Sequence, residues 1–368
     1  MTIAASAASD ARNQLRLAGK RNELVILGDA PLVAETPTAL LDDMTTPIES
    51  FFVRNNGAFP TDLDPATWVL TIDGEVERPL ELTLADLRSI GRTVSRWLVL
   101  ECGGNGRAAF SPPAKGNQWT QGGVGCAEWT GVALRDVLSA AGLRPTATYT
   151  AHHGSDGAIS RGIRLDKALE PSTLLVWGMN GEPLPEIHGG PLRLIVPGWP
   201  GSASQKWLTR ITIRDREHDG AGMTGFSYRV PTRPLRPGEE PDPADFRILE
   251  SMPVRAIITS PADSDRLAAG TPLLAVRGAA WAGDLDVRAV DVSIDGGAGW
   301  TPASLAEPRN RYDWRRWSAD IPISGDGSIA ILARATDSEG RVQPFEPELW
   351  NANGYGGNAM HRVTVRIG

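Results

Sequence analysis

The chain changes character near residue 252, and that change constrains the fold more than any other feature. Upstream, strand and helix patterns interleave. Trp68 to Ile72 alternates and stops at Asp73-Gly74, and Thr83 opens a helical stretch through Arg88. Val94 to Leu100 reads as a strand, Ala133 to Ala141 as a helix closed by Gly142, and Leu192 to Val196 as a buried strand. Downstream, short strands such as Val287 to Ile294 and Ile329 to Ala335 are separated by turns such as Asp295-Gly296-Gly297, with no helical stretch between them. Regular strand spacing without helices predicts an immunoglobulin-like sandwich. The reading is therefore α+β: a mixed α/β domain over 45–230 and an all-β sandwich over 252–368. A proline-rich linker over 231–251 joins them, opening with Pro231-Thr232-Arg233-Pro234. Residues 1–44 read as an N-terminal arm with one short strand, Leu24 to Leu27.

Composition narrows the function. The length of 368 residues suggests two or three domains, and 41% hydrophobic content is enough to bury a sizeable core. A net charge of -7 and the lack of a Lys/Arg cluster argue against a nucleic-acid partner. No stretch has the apolar length of a membrane span. The N-terminus lacks a secretory core and a twin-arginine pair, so the expected location is cytoplasmic, or periplasmic if a signal has been removed. Only two cysteines occur, Cys102 and Cys126. They cannot form a disulfide scaffold, and without C-x-x-C or C-x-x-C-H there is no zinc ribbon and no c-type haem attachment.

Cys102 is the sharpest chemical feature. It sits where a strand runs into Gly103-Gly104-Asn105-Gly106-Arg107, and three glycines let a bulky ligand approach the backbone. Arg107 and the loop amides are expected to favour the metal-binding thiolate. A lone cysteine is more often an inert buried thiol, and one thiolate alone does not hold a metal, so the other ligands must come from an organic cofactor or from distant residues. Phe51-Phe52-Val53-Arg54-Asn55-Asn56 offers a pocket wall and then donors for an anion or polar heterocycle, or else an ordinary strand end. His188-Gly189-Gly190-Pro191-Leu192-Arg193, followed by the Gly/Pro/Ser loop that ends at Ser204-Gln205-Lys206-Trp207, suits a phosphate, or is a tight turn; its spacing is not that of a Walker A motif. His152-His153 would face opposite sides of a strand, which makes a poor chelate, and a surface loop is the expected setting. No G-x-S-x-G or H-E-x-x-H is present and no G-x-G-x-x-G forms a dinucleotide turn after a strand, so hydrolase and nicotinamide-dependent readings lose their usual support.

Together and in order, these segments resemble the sulfite oxidase family, over roughly residues 45 to 368. Trp281-Ala282-Gly283, Val292 to Gly297 and Trp300 look like that family's C-terminal dimerisation domain. The resemblance implies a sulfite-oxidase-type molybdopterin domain followed by the sandwich, in a homodimer; a tryptophan-rich strip at Trp314 and Trp317 is expected in its interface, or else fills the sandwich's own core. It implies a molybdenum–molybdopterin centre with Cys102 as the protein ligand. Cofactor contacts would come from Phe52, Val53, Arg54, Asn55, Asn56, Asp156, His188, Arg193, Ser204, Gln205 and Lys206. Arg54, Arg107 and Trp119 would line the approach of a small oxyanion, sulfite in the first instance. With no haem domain in this chain, electrons would pass to an external acceptor such as a cytochrome or oxygen. Three departures bear on the substrate. Gly106 stands where the family pattern has an arginine, Asn353 replaces another, and no tyrosine matches within 157–163, where Arg161 is expected to restore positive charge. Two other readings stay open: the same cofactor acting on another sulfur compound, a sulfoxide or nitrate, and a non-catalytic binding protein.

Overall fold

A computed structural model describes residues 2–61 and 63–368 of the chain. Its first domain contains two sheets. One runs Glu182–Pro183, Leu174–Met179, Val124–Ala133, Val94–Glu101, with Arg193–Ile195 also pairing on Leu174–Met179. The other runs Leu80–Thr83, Val69–Gly74, Leu208–Arg214, Tyr149–Gly154, Gly162–Arg164. Within it Leu208–Arg214 lies parallel to Val69–Gly74 and antiparallel to Tyr149–Gly154. Apolar side chains of the second sheet and of two helices close one core, in which Leu70, Ile72, Val137, Leu138 and Ile211 are fully buried.

The helix signals hold at residue level. Thr83 and Asp86 form a reciprocal capping box at the start of Leu84–Ile90. Leu134–Ala141 ends at Gly142, whose φ of 73° is left-handed and whose N–H donates back to Leu138 and Ser139 carbonyls.

The N-terminal segment differs from the expected arm. It opens with a helix, Thr2–Leu17, followed by a hairpin of Val25–Asp29 and Leu32–Glu35, which pairs in turn with Val53–Arg54. Ala11, Leu15, Leu24, Leu32, Ala34, Val53 and Ile187 share one apolar cluster. The helix is alanine-rich, so high intrinsic propensity makes it without the broad apolar stripe that sequence patterning detects.

The second domain is the expected sandwich. One sheet runs Arg255–Ser260, Leu273–Trp281, Arg315–Pro322, Ser304–Leu305. The other runs Arg266–Leu267, His361–Ile367, Gly327–Asp337, Val287–Ser293, Thr301–Pro302. Trp317 packs in the core between them, while Trp314 joins Val99, Ile257, Ala279 and Trp281 in an apolar cluster between the domains. The connection is not wholly extended, since Arg229–Pro231 and Phe246–Ile248 pair as a short antiparallel ribbon.

Candidate active site

Strand parity sets the site. Along Val94–Glu101, Leu98 and Leu100 face one side and Val99 faces the other. Cys102 continues the Leu98–Leu100 face and lines a cavity. The cysteine is 9% exposed and is not in a disulfide.

Of the residues singled out from the sequence, Phe52, Arg54, Asn55, Asn56, Cys102, Asp156, His188, Arg193, Ser204, Gln205 and Lys206 all line this one cavity. They come from distant segments that the fold draws together. Val53 is fully buried in the N-terminal apolar cluster and helps to carry the Phe52–Asn56 segment. Lys206 Nζ donates to Asn55 Oδ1 at 2.6 Å and to the Ile187 carbonyl at 2.6 Å. Arg193 Nη1 donates to the His188 carbonyl at 2.8 Å. Trp207, left-handed at φ 49°, anchors the same loops through Nε1 to the Glu186 carbonyl and its N–H to the Gly189 carbonyl.

Three expected residues stand behind the wall. Trp119 is fully buried and meets Phe52 edge-on at 5.9 Å, so it supports the wall and does not line the approach. Arg107 spends Nε on the Asn353 carbonyl and Nη1 on the Asn117 carbonyl, both at 2.9 Å. It lies across Gly104, where an added Cβ would fall 2.5 Å from Nη2, so that position admits only glycine without a shift. Arg161 is fully buried beneath the Tyr228 ring at 4.9 Å; Nη1 donates to the Gly222 carbonyl, and Nε and Nη2 have no partner among the described residues.

Other site residues carried no signal in the sequence. Tyr228 lines the cavity, donates to Asn56 Oδ1 at 3.1 Å and packs on Tyr355 at 4.8 Å; Tyr355 in turn faces the Arg107 guanidinium at 5.2 Å. Tyr228 has a left-handed φ of 52°, a conformation that costs a non-glycine residue energy and clusters at functional sites. Lys20, from the supposed arm, meets His188 Nε2 at 3.0 Å. The histidine pair lies outside this constellation. His152 and His153 sit on Tyr149–Gly154, as expected facing opposite ways. His152 is fully buried against Thr150 Oγ1 at 2.7 Å, unlike a surface-loop residue, because its strand is interior to the sheet.

The electrostatics are those of a buried cationic pocket. Burial pushes Arg193 down to about 9 and Lys20 down to about 7, the latter opposed by Glu49. Burial, then the charges of Arg193 and Arg54, hold Lys206 well below its ordinary value. Burial, then Lys20, Lys206 and Arg193, keep His188 neutral. The lining carboxylate, Asp156, is raised by burial. Cys102 departs from expectation: burial pushes its thiol up, and Arg54, the Gly104 N–H and Arg107 only partly oppose that. Burial also lifts Tyr228 to about 12, so its hydroxyl stays protonated. Clustered cations whose protonation burial opposes are stabilised by a bound anion. Asp156 Oδ1, Arg193 Nε, Ser202 Oγ and Gln205 Oε1 are buried at this cavity without partners among the described residues. Buried polar groups are normally paired, so these atoms mark donors and acceptors reserved for a polar ligand.

Comparison with known proteins agrees with this geometry. Residues 56–221 match the oxidoreductase molybdopterin binding domain, and residues 247–368 match the Mo-co oxidoreductase dimerisation domain. The fold and site thus define a molybdopterin oxidoreductase. The chain is 34% identical to the mitochondrial sulfite oxidase of Macaca fascicularis, covering 94% of this chain and 66% of that one. It spans that relative only in part, about two thirds of its length. It is 31% identical to the sulfite oxidase of Arabidopsis thaliana, covering 92% of each. Among solved structures, the sulfane dehydrogenase SoxCD of Paracoccus pantotrophus superposes with a TM-score of 0.78 at 28% identity, covering 96% of this chain and 90% of that one. The chain belongs to the sulfite oxidase family.

Proposed function

We propose that Cys102 ligates a molybdenum–molybdopterin centre at which sulfite is oxidised to sulfate, with the electrons leaving to an external acceptor. The observation that carries this reading is the placement of a single cavity-lining thiol beside a cationic, carboxylate-poor pocket. Arg193, Lys206 and Lys20 suit the phosphate end of the cofactor. The unpaired atoms of Asp156, Gln205 and Ser202 suit a polar heterocycle. When bound, the cofactor supplies two-electron oxygen-atom transfer, for which sulfite and water give sulfate, two electrons and two protons. The chain's own part is to hold and orient. Arg54 supplies positive charge on the cavity wall, Arg161 and Arg107 add it from behind, and the Tyr228 hydroxyl fixes Asn56.

Arg54→Gln should raise the Michaelis constant for sulfite by about tenfold, because it removes a charge-assisted contact in a partly dry site. Arg161→Ala should raise it by roughly threefold, since its charge acts through the Tyr228 ring rather than by contact. Steady-state kinetics with both variants checks this, and unchanged constants in both would refute the anion pocket.

A second reading is favoured by the paired Tyr228 and Tyr355. They stack at 4.8 Å, and Tyr355 follows two residues after Asn353, where the family pattern has an arginine. Loss of a positive charge weakens attraction for a dianion more than for a monoanion, which suits a singly charged or neutral sulfur compound. The structural relative named a sulfane dehydrogenase accords with that reading. Turnover measured side by side with sulfite and uncharged sulfur compounds separates the two.

We also infer a homodimer formed through the second domain. The tryptophans do not support it: Trp314 and Trp317 are 1% and 2% exposed and are covered within the chain. The support is the match of residues 247–368 to a dimerisation domain. Light scattering at micromolar concentration should give twice the chain mass, and a monomeric mass would count against the dimer.

The described residues contain no helix long and apolar enough to cross a membrane.

A further inference from the structure

We propose that Arg255 of the second domain is a positioning residue for the Cys102 loop, fixing from behind the direction in which the thiol is presented. The proposal rests on the reading of Cys102 as the metal ligand. Strand parity that points Cys102 into the cavity points Glu101 the other way, toward the sandwich. There Arg255 Nε and Glu101 Oε1 form an ion pair at 2.9 Å without hydrogen-bond geometry, both side chains being almost wholly buried. Trp281 Nε1 donates to Glu101 Oε2 at 2.7 Å. The same guanidinium reaches the far end of the loop, where Nη2 donates to the carbonyls of Asn105 and Gly357. Nη1 completes the fork on Gln121 Oε1 at 2.8 Å. Asn105 Nδ2 closes the circuit onto Glu101 Oε1 at 3.0 Å. One planar cation thus ties the residue before Cys102 to the residues after it, a geometry that lysine does not reproduce.

Gly106 explains why the space exists. It is left-handed at φ 81°, and an added Cβ would lie 2.7 Å from the Gly357 carbonyl oxygen and 3.0 Å from Arg255 Nη1. The Arg255 guanidinium therefore fills the space that a side chain at 106 would need. A buried ion pair is weak support for stability, because desolvation offsets its attraction, whereas its directional bonds can specify one arrangement. Here the arrangement specified is that of the loop carrying the ligand.

The test is Arg255→Lys, which keeps the charge and loses the fork, together with the charge-neutral pair Arg255→Met/Glu101→Gln. Hydrogen exchange is followed over the Cys102–Arg107 loop and, as a control, over Leu208–Arg214. Molybdenum content and steady-state constants are measured on the same samples. The expected result for both variants is loop exchange at least about tenfold faster with the control unchanged. With it should come a turnover number about tenfold lower at an unaltered Michaelis constant. Wild-type exchange and turnover in either variant would overturn the proposal. Loss of protection spread evenly over loop and control in the lysine variant would also overturn it, by assigning Arg255 to the fold as a whole. Wild-type protein that keeps a protected loop but holds no molybdenum would sink the reading of Cys102 as ligand, an outcome distinct from these.

Discussion

Cys102→Ser should lower turnover by at least about a thousandfold while the chain stays folded, the pattern expected when the contact removed acts in the chemical step. The serine is close to isosteric, and the Cys102 backbone is held independently by its N–H to the Gly123 carbonyl at 2.8 Å. The thiol's polar contact is with the Gly104 N–H, from which a serine oxygen can also accept, so folding loses little by its replacement. What is lost is a soft, deprotonatable ligand, the kind such a metal selects. Cys126→Ser is the matched control. Its thiol donates to Asp313 Oδ1 at 3.1 Å in an apolar cluster between the domains, away from the cavity. Disturbing that buried bond should cost about 1 kcal/mol of stability and leave turnover alone. Activity assays with thermal melts on the two variants check both halves, and equal losses of activity would remove the distinction drawn between the cysteines.

Lys206→Met should strip the purified protein of most of its molybdenum, with retention falling by about ten- to a hundredfold, the equivalent of one charge-assisted bond. The same change should leave the cofactor-free chain as stable as the wild type, or more so. Lys206 is part-buried, its burial and then neighbouring Arg193 and Arg54 oppose its charge, and Asp156 is the acidic group that favours it. Replacing such a group with an apolar chain of similar length removes a desolvation cost. The opposite signs matter, because a lysine that serves only the fold would lower stability and cofactor content together. Metal analysis of the holoprotein and melts of the cofactor-free form check the two signs separately.

The Cys102 loop, the Phe52–Asn56 segment and the 188–206 loops were legible in sequence because each places its chemistry within a few residues. The cavity unites them. What escaped depends on long-range packing. Tyr228 falls within the first domain as read from sequence and Tyr355 within the second, and only the docking of the two domains stacks them. Lys20 reaches His188 because the alanine-rich helix and its hairpin fold onto the domain. Trp119, Trp314 and Trp317 were read as lining or interface residues, yet each is covered within the chain, since a sequence shows that an indole needs burial but not what buries it. The Glu101–Arg255 pair was invisible for the same reason, the partners being 154 positions apart by their numbers.

X-ray absorption at the molybdenum edge, on wild type and Cys102→Ser loaded in parallel, tests the central claim most directly. The account predicts molybdenum at about one atom per wild-type chain, with one fewer sulfur neighbour at the metal in the serine variant. Equal sulfur counts in the two proteins, or wild-type protein without molybdenum, would contradict it.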